Sequence, residues 1–128
     1  MLVENPKILL VEDDEFLVQL IAQELIRSGF TNLTLVKDGG MVMQKFQEIQ
    51  PDLILLDILL PVKSGLEALR EIRATDAGKK VLVMVLSNFN DPAYKTQAEQ
   101  LNVKGYLIKA NHTMNEIVDQ VKEVLAKA

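Results

Sequence analysis

Three runs, Lys7–Val11, Leu53–Leu56 and Val81–Leu86, are apolar with almost no polar alternation, and nothing else in the chain restricts its fold as tightly. A strand with one wet face alternates, whereas a strand covered on both faces does not. The runs are too short for buried helices, so they predict central strands of a parallel sheet. Two weaker runs, Thr31–Val36 and Gly105–Ile108, have the lengths of flanking strands, with Gly29 and Gly105 marking turns before them. The expected total is five strands.

Segments of helical period lie between the runs. Leu17, Leu20, Ile21 and Leu25 make one stripe, Val42, Phe46 and Ile49 a second, and Leu66, Leu69 and Ile72 a third. Asp91–Leu101 is a poorer helix whose inward candidates are Tyr94, Ala98 and Leu101, although Asp91 followed by Pro92 is a sound start. A last helix is expected from Thr113 to Ala126, where Thr113 and Glu116 have capping-box spacing and Met114, Ile117, Val118, Val121 and Leu125 share a face. Alternating strands and helices with short connections imply right-handed crossovers and helices on both faces of the sheet, an α/β doubly wound fold. At 128 residues, with no repeat and no linker-like tract, residues 1–128 read as a single domain with no room for an output domain.

Composition narrows the function classes. A net charge of −4 with scattered basic residues disfavours direct nucleic-acid binding, which needs clustered Lys and Arg. There is no cysteine, hence no disulfide framework and no thiolate metal site. MLVENPK lacks the basic start and apolar run of a secretion signal, and no segment approaches membrane-spanning length, so the expectation is a cytoplasmic protein without a membrane partner. His112, the single histidine, reads as a loop or first-turn residue. Asp38–Gly39–Gly40 lacks the spacing and lysine of a phosphate loop and reads as a turn, and Met41, Met43, Met84 and Met114 read as core fillers.

In an open parallel sheet, ligands bind beyond the carboxyl ends of the strands. The first run ends in Glu12, Asp13 and Asp14, the third in Asp57, the fourth in Ser87 and Asn88, and the fifth in Lys109. Alone, each is an ordinary cap or surface residue; together they converge on one edge. Two carboxylates about 4 Å apart repel by roughly 4 kcal/mol at an effective dielectric near 20, so such a cluster needs a cation. An all-oxygen set without His or Cys suits Mg2+ rather than zinc, and Glu12, Asp13 and Asp57 supply it. A carboxylate beside Mg2+ can attack phosphorus and form an aspartyl phosphate, and Asp57 is best placed to do so. Lys109 can pair with a phosphoryl oxygen and the Ser87 hydroxyl can donate to another.

With these residues in view, the chain resembles the response-regulator receiver family of two-component signalling, through ILLVEDD at Ile8–Asp14, LILLDILLPVKSG at Leu53–Gly65, VLVMVLSN at Val81–Asn88 and GYLIK at Gly105–Lys109. Asp57, Pro61 and Gly65 stand at the family's spacing. The resemblance implies a flavodoxin-like sheet of order 2-1-3-4-5 and a phosphoacceptor at Asp57. It implies a metal site of Glu12, Asp13, Asp57 and the Leu59 backbone carbonyl. Ser87, Tyr106 and Lys109 would bind the phosphoryl group and switch the face made by the fourth helix, fifth strand and fifth helix. Leu59 and Phe89 match positions that influence hydrolysis of the acyl phosphate, and apolar side chains there suggest a slow one. The implied partners are a sensor histidine kinase or histidine phosphotransfer protein and a downstream protein, with the chain itself a monomer or weak dimer.

Two positions depart from the family pattern. Ala110 stands where proline usually follows the lysine, often after a cis bond; before alanine that bond costs roughly 3 kcal/mol, so the loop is either trans and repositioned or held cis by its surroundings. Asn88 stands where a small residue is commoner, and its amide is expected to crowd or hydrogen-bond the incoming phosphoryl group. Two other functions compete: a degenerate receiver that binds partners without phosphorylation, and an Asp-nucleophile phosphatase like the haloacid dehalogenases. The latter carry a second Asp two residues on, where this chain has Leu59. The leading expectation is a switch that catalyses at most its own phosphorylation and dephosphorylation.

Overall fold

The computed structural model describes residues 4–88 and 90–127. In chain order these form β1 (Ile8–Val11), α1 (Glu15–Arg27), β2 (Leu33–Val36), α2 (Val42–Ile49), β3 (Leu53–Leu56), α3 (Gly65–Arg73), β4 (Leu82–Ser87), α4 (Pro92–Gln100), β5 (Gly105–Ile108) and α5 (Met114–Ala126). The strands make one parallel sheet of order β2-β1-β3-β4-β5. This is the doubly wound fold expected from the strand runs.

The missing alternation in the central strands has a direct cause. Ile8, Leu10, Leu53, Leu55, Met84 and Leu86 join one core with α1 and α5, while Leu9, Val11, Ile54, Leu56 and Val83 join another with α2 and α3. Successive side chains point to opposite faces, so a strand serving two cores is apolar at every position. The edge strands are less buried: all four residues of β5 are partly exposed, and Leu35 of β2 is exposed.

The helix starts follow local chemistry. Asp14 accepts from the Phe16 and Leu17 amides, Ser64 from Glu67 and Asp91 from Ala93, and Thr113 with Glu116 forms the expected capping box. The α1 stripe differs from expectation, with Val18, Ile21 and Leu25 buried while Leu17 and Leu20 are only partly covered. Val18 joins the expected Ile21 and Leu25 in the core shared with the sheet and α5, and Leu17 packs at its margin. Met41 is exposed rather than a core filler, since it ends the short 3-10 turn Gly39–Met41 and lies on no helical face.

α4 is held differently from the other helices, because Ala98 is its one buried residue. Arg70 of α3 donates to Gln97 Oε1 at 2.5 Å. Arg73 donates through Nε to the Leu101 carbonyl at 2.9 Å, and through Nη1 to the carbonyls of Gly78 at 2.9 Å and Val81 at 2.7 Å. Five planar donors let one guanidinium bind the ends of two loops at once.

The β3–α3 connection is tight and strained. A Cβ on Gly65 would lie 2.0 Å from the Asp57 carbonyl oxygen, so only glycine lets α3 begin against the end of β3. Val62, 86 % exposed, has φ +74°, and Lys63 N–H donates to the Pro61 carbonyl across it at 2.9 Å, the rare left-handed form of three-residue turn. Val62→Gly is therefore expected to stabilise the domain by about 1 kcal/mol, since it removes a left-handed β-branched residue and little contact. Gly65→Ala should destabilise it by about 2 kcal/mol through overpacking against Asp57. Urea unfolding midpoints of the two variants should thus move in opposite directions from wild type.

Candidate functional site

Glu12 follows Val11 and Asp57 follows Leu56, and because Val11 and Leu56 are register partners the two carboxylates leave the sheet side by side. The ladder continues past the strands: Glu12 N–H donates to the Val36 carbonyl at 2.9 Å and Asp57 N–H to Val11 at 3.0 Å. Both side chains are buried, at 2 % and 5 % exposure. Asp13 is exposed beside them, and Glu12, Asp13 and Asp57 each present a carboxylate oxygen within 4.8 Å of the others. Asp14 serves elsewhere: its side chain caps α1 and its amide donates to Glu12 Oε2 at 3.1 Å.

Lys109, directly after β5, reaches back across β4 to this pair. Its Nζ donates to Glu12 Oε1 and to Asp57 Oδ2, the latter at 3.2 Å. Burial pulls the Lys109 ammonium down, but the hydrogen bond to Glu12 and the charges of Asp57 and Glu12 outweigh it and raise its pKa overall. Glu12 is pushed up to about 7, chiefly by burial and further by the charge of Asp57, against the lowering effect of its Lys109 hydrogen bond. One ammonium thus serves two buried carboxylates, and the pair remains short of positive charge.

Ser87 ends β4 and is 1 % exposed, level with Ile108 in the ladder. Tyr106, on β5, is partly buried against the small cluster Ile58, Leu66, Val85 and Ala98 beneath α4. Its phenol pKa is raised by burial and by the charges of Asp57 and Asp91. Leu59, two residues beyond Asp57, is 53 % exposed, while Phe89 lies outside the described residues. His112 sits between the turn Lys109–Asn111 and the cap of α5, as a loop residue.

The two departures noted in the sequence meet in space. The Lys109–Ala110 peptide is trans, and the Ala110 amide donates to Asn88 Oδ1 at 2.9 Å. The Asn88 side-chain oxygen is therefore engaged by the β5–α5 turn. Sequence reasoning missed this contact because a side-chain to backbone bond between positions 22 apart leaves no periodic trace.

An all-carboxylate, partly buried donor set with one competing lysine fits a hard divalent cation and not a thiophilic one. A family model described as the response regulator receiver domain matches residues 8–122. The chemotaxis protein CheY of Bacillus subtilis is 29% identical over 103 residues, covering 80% of this chain and 84% of the relative. The phosphorylated cyanobacterial phytochrome response regulator RcpA superposes with a TM-score of 0.81 at 31% identity, covering 93% of this chain and 90% of that one. The Mn(2+)-bound form of response regulator Rcp1 does so with a TM-score of 0.76 at 32% identity, covering 94% and 90% respectively. Among the described residues, no helix is long and apolar enough to cross a membrane.

The raised Glu12 pKa has a signed consequence for stability. A folded-state value of about 7 against an ordinary 4.5 means that the metal-free fold binds this proton more tightly than the unfolded chain. The resulting stabilisation is full below the unfolded value and is lost as pH rises through the folded one. Between about pH 5 and pH 8, wild type is expected to lose on the order of 2 kcal/mol more unfolding free energy than Glu12→Gln, measured by urea titration without metal. Excess divalent cation should oppose the loss, because it binds the ionised carboxylates.

Proposed function

The chain belongs to the response regulator receiver domain family, signalling modules rather than classical enzymes, and on that premise we propose that Asp57 is its phosphoacceptor. The observation that carries this reading is the convergence of Glu12, Asp13 and Asp57 with the Lys109 ammonium at one sheet edge. In the proposed reaction an Asp57 carboxylate oxygen forms a bond to phosphorus while the bond from phosphorus to the donor breaks. The donor's electron pair leaves with its imidazole nitrogen, and an acyl phosphate remains on Asp57.

Mg2+ is the proposed cofactor, held by Glu12, Asp13, Asp57 and the Leu59 backbone carbonyl, and when bound it supplies positive charge against the transferring oxygens. The Mn(2+)-bound relative supports a divalent ion at such a site. Lys109 would pair with a phosphoryl oxygen, and the Ser87 hydroxyl would donate to another. Tyr106 then turns further inward, remodelling the face of α4, β5 and α5 for a downstream protein. The weak apolar hold on α4 supports movement there, since elements that shift are drawn from the less stable parts of a domain.

The proposed donor is a sensor histidine kinase or a histidine phosphotransfer protein, and the output is protein binding in the cytoplasm by a monomer or weak dimer, without direct nucleic-acid contact. The apolar Leu59, and Phe89 in sequence, favour slow hydrolysis by offering the attacking water no polar partner.

Incubation with Mg2+ and acetyl phosphate should give a single phosphoryl adduct in the intact mass of wild type and none in Asp57→Asn. The adduct should decay over minutes rather than seconds once donor is removed. Its absence in wild type, or its persistence in Asp57→Asn, would overturn the assignment.

A further inference from the structure

Lys109 opens the 3-10 turn Lys109–Asn111, and Ile108, which precedes that turn, gives it no side-chain cap. The amide of Ala110, the turn's second residue, is instead bound by Asn88 Oδ1 at 2.9 Å, from a position 22 residues earlier. The β4–β5 ladder has its last register pair at Ser87 and Ile108. The Asn88–Ala110 bond therefore lies just past the ladder's end and ties the loop after Ser87 to the turn that carries Lys109. It is available because residue 110 has an amide hydrogen, which proline lacks.

The geometry points to Asn88 as a positioning residue for Lys109. By binding the Ala110 amide it fixes the start of the turn, with the Lys109 ammonium aimed at Glu12 and Asp57. It also joins Ser87 and Lys109, so that the two phosphoryl-binding groups shift together. Neither role needs Asn88 to touch the reacting atoms. The effect on phosphorylation rests on the Asp57 reading given above, whereas the link itself does not.

Two measurements on the full chain test this. Amide exchange with water, followed by NMR, should show Ala110 exchanging about threefold to tenfold faster in Asn88→Ala than in wild type, the range of one exposed hydrogen bond. Asn88→Asp, which keeps an acceptor oxygen, should restore the slow exchange. Phosphorylation by acetyl phosphate in saturating Mg2+ should be slower by a similar factor in Asn88→Ala. Asn88→Ala should make no further difference once Ala110→Pro has removed the donor. Equal Ala110 exchange in wild type and Asn88→Ala would overturn the link. An Asn88→Ala slowing that persists undiminished beside Ala110→Pro would overturn the positioning role. Failure of wild type to accept phosphate at all would instead refute the phosphoacceptor assignment, leaving the exchange measurement to decide the link.

Discussion

Two buried carboxylates on adjacent strands can coexist at the edge of this sheet because one ammonium lies between them. Without Lys109, Glu12 and Asp57 would face each other in a poorly solvated pocket, and one would have to take a proton. With it, the pocket is folded, while burial and the charge of Asp57 still hold the Glu12 pKa above its ordinary value. The carboxylate oxygens of Glu12, Asp13 and Asp57 together suit a hard divalent cation. The strand ends, the cap of α1 at Asp14 and the close seat of Gly65 all maintain this arrangement.

The rest of the domain divides into well-packed and lightly held parts. α1 and α5 share one core with the sheet, and α2 and α3 share the other. α4 has no comparable apolar face and depends on Arg70 and Arg73 of α3, which grip its Gln97 and the carbonyl of Leu101. Its C-terminal end is bound by charged donors, and its N-terminal end is capped by Asp91. Tyr106 packs against the small cluster that Ala98 of this helix shares with Ile58, Leu66 and Val85.

Much of the architecture was legible in the sequence, for identifiable reasons. Unalternating runs can satisfy only strands covered on both sides, so Ile8–Val11, Leu53–Leu56 and Leu82–Ser87 came out within a residue of their positions. The convergence of Glu12, Asp13, Asp57 and Lys109 followed once those runs were strands, because parallel strands end on one edge. Local rules also found the caps at Asp91 and Thr113. What escaped was non-local or strained. The Arg73 grip and the Asn88–Ala110 bond join distant side chains to main-chain atoms, and nothing in Pro61–Val62–Lys63 announces a left-handed valine. On α1 the expected Ile21 and Leu25 are buried and Leu17 packs at the core's margin, while Val18, absent from the expected stripe, is buried as well.

The doubled core carries a cost in specification. Where one sheet face is wet, sliding a strand by a single step exposes oil and buries charge, and hydrophobicity alone forbids it. Leu53–Leu56 is equally oily in both directions, so a one-step slip of β3 against β1 would merely exchange its two sets of neighbours. What would object is the polar terminus: Asp57 would part from Glu12 and Lys109, and Gly65 would lose its seat. The reactive corner of this protein thus also acts as its alignment mark, and mutations made there to probe chemistry stand to loosen how the sheet is threaded.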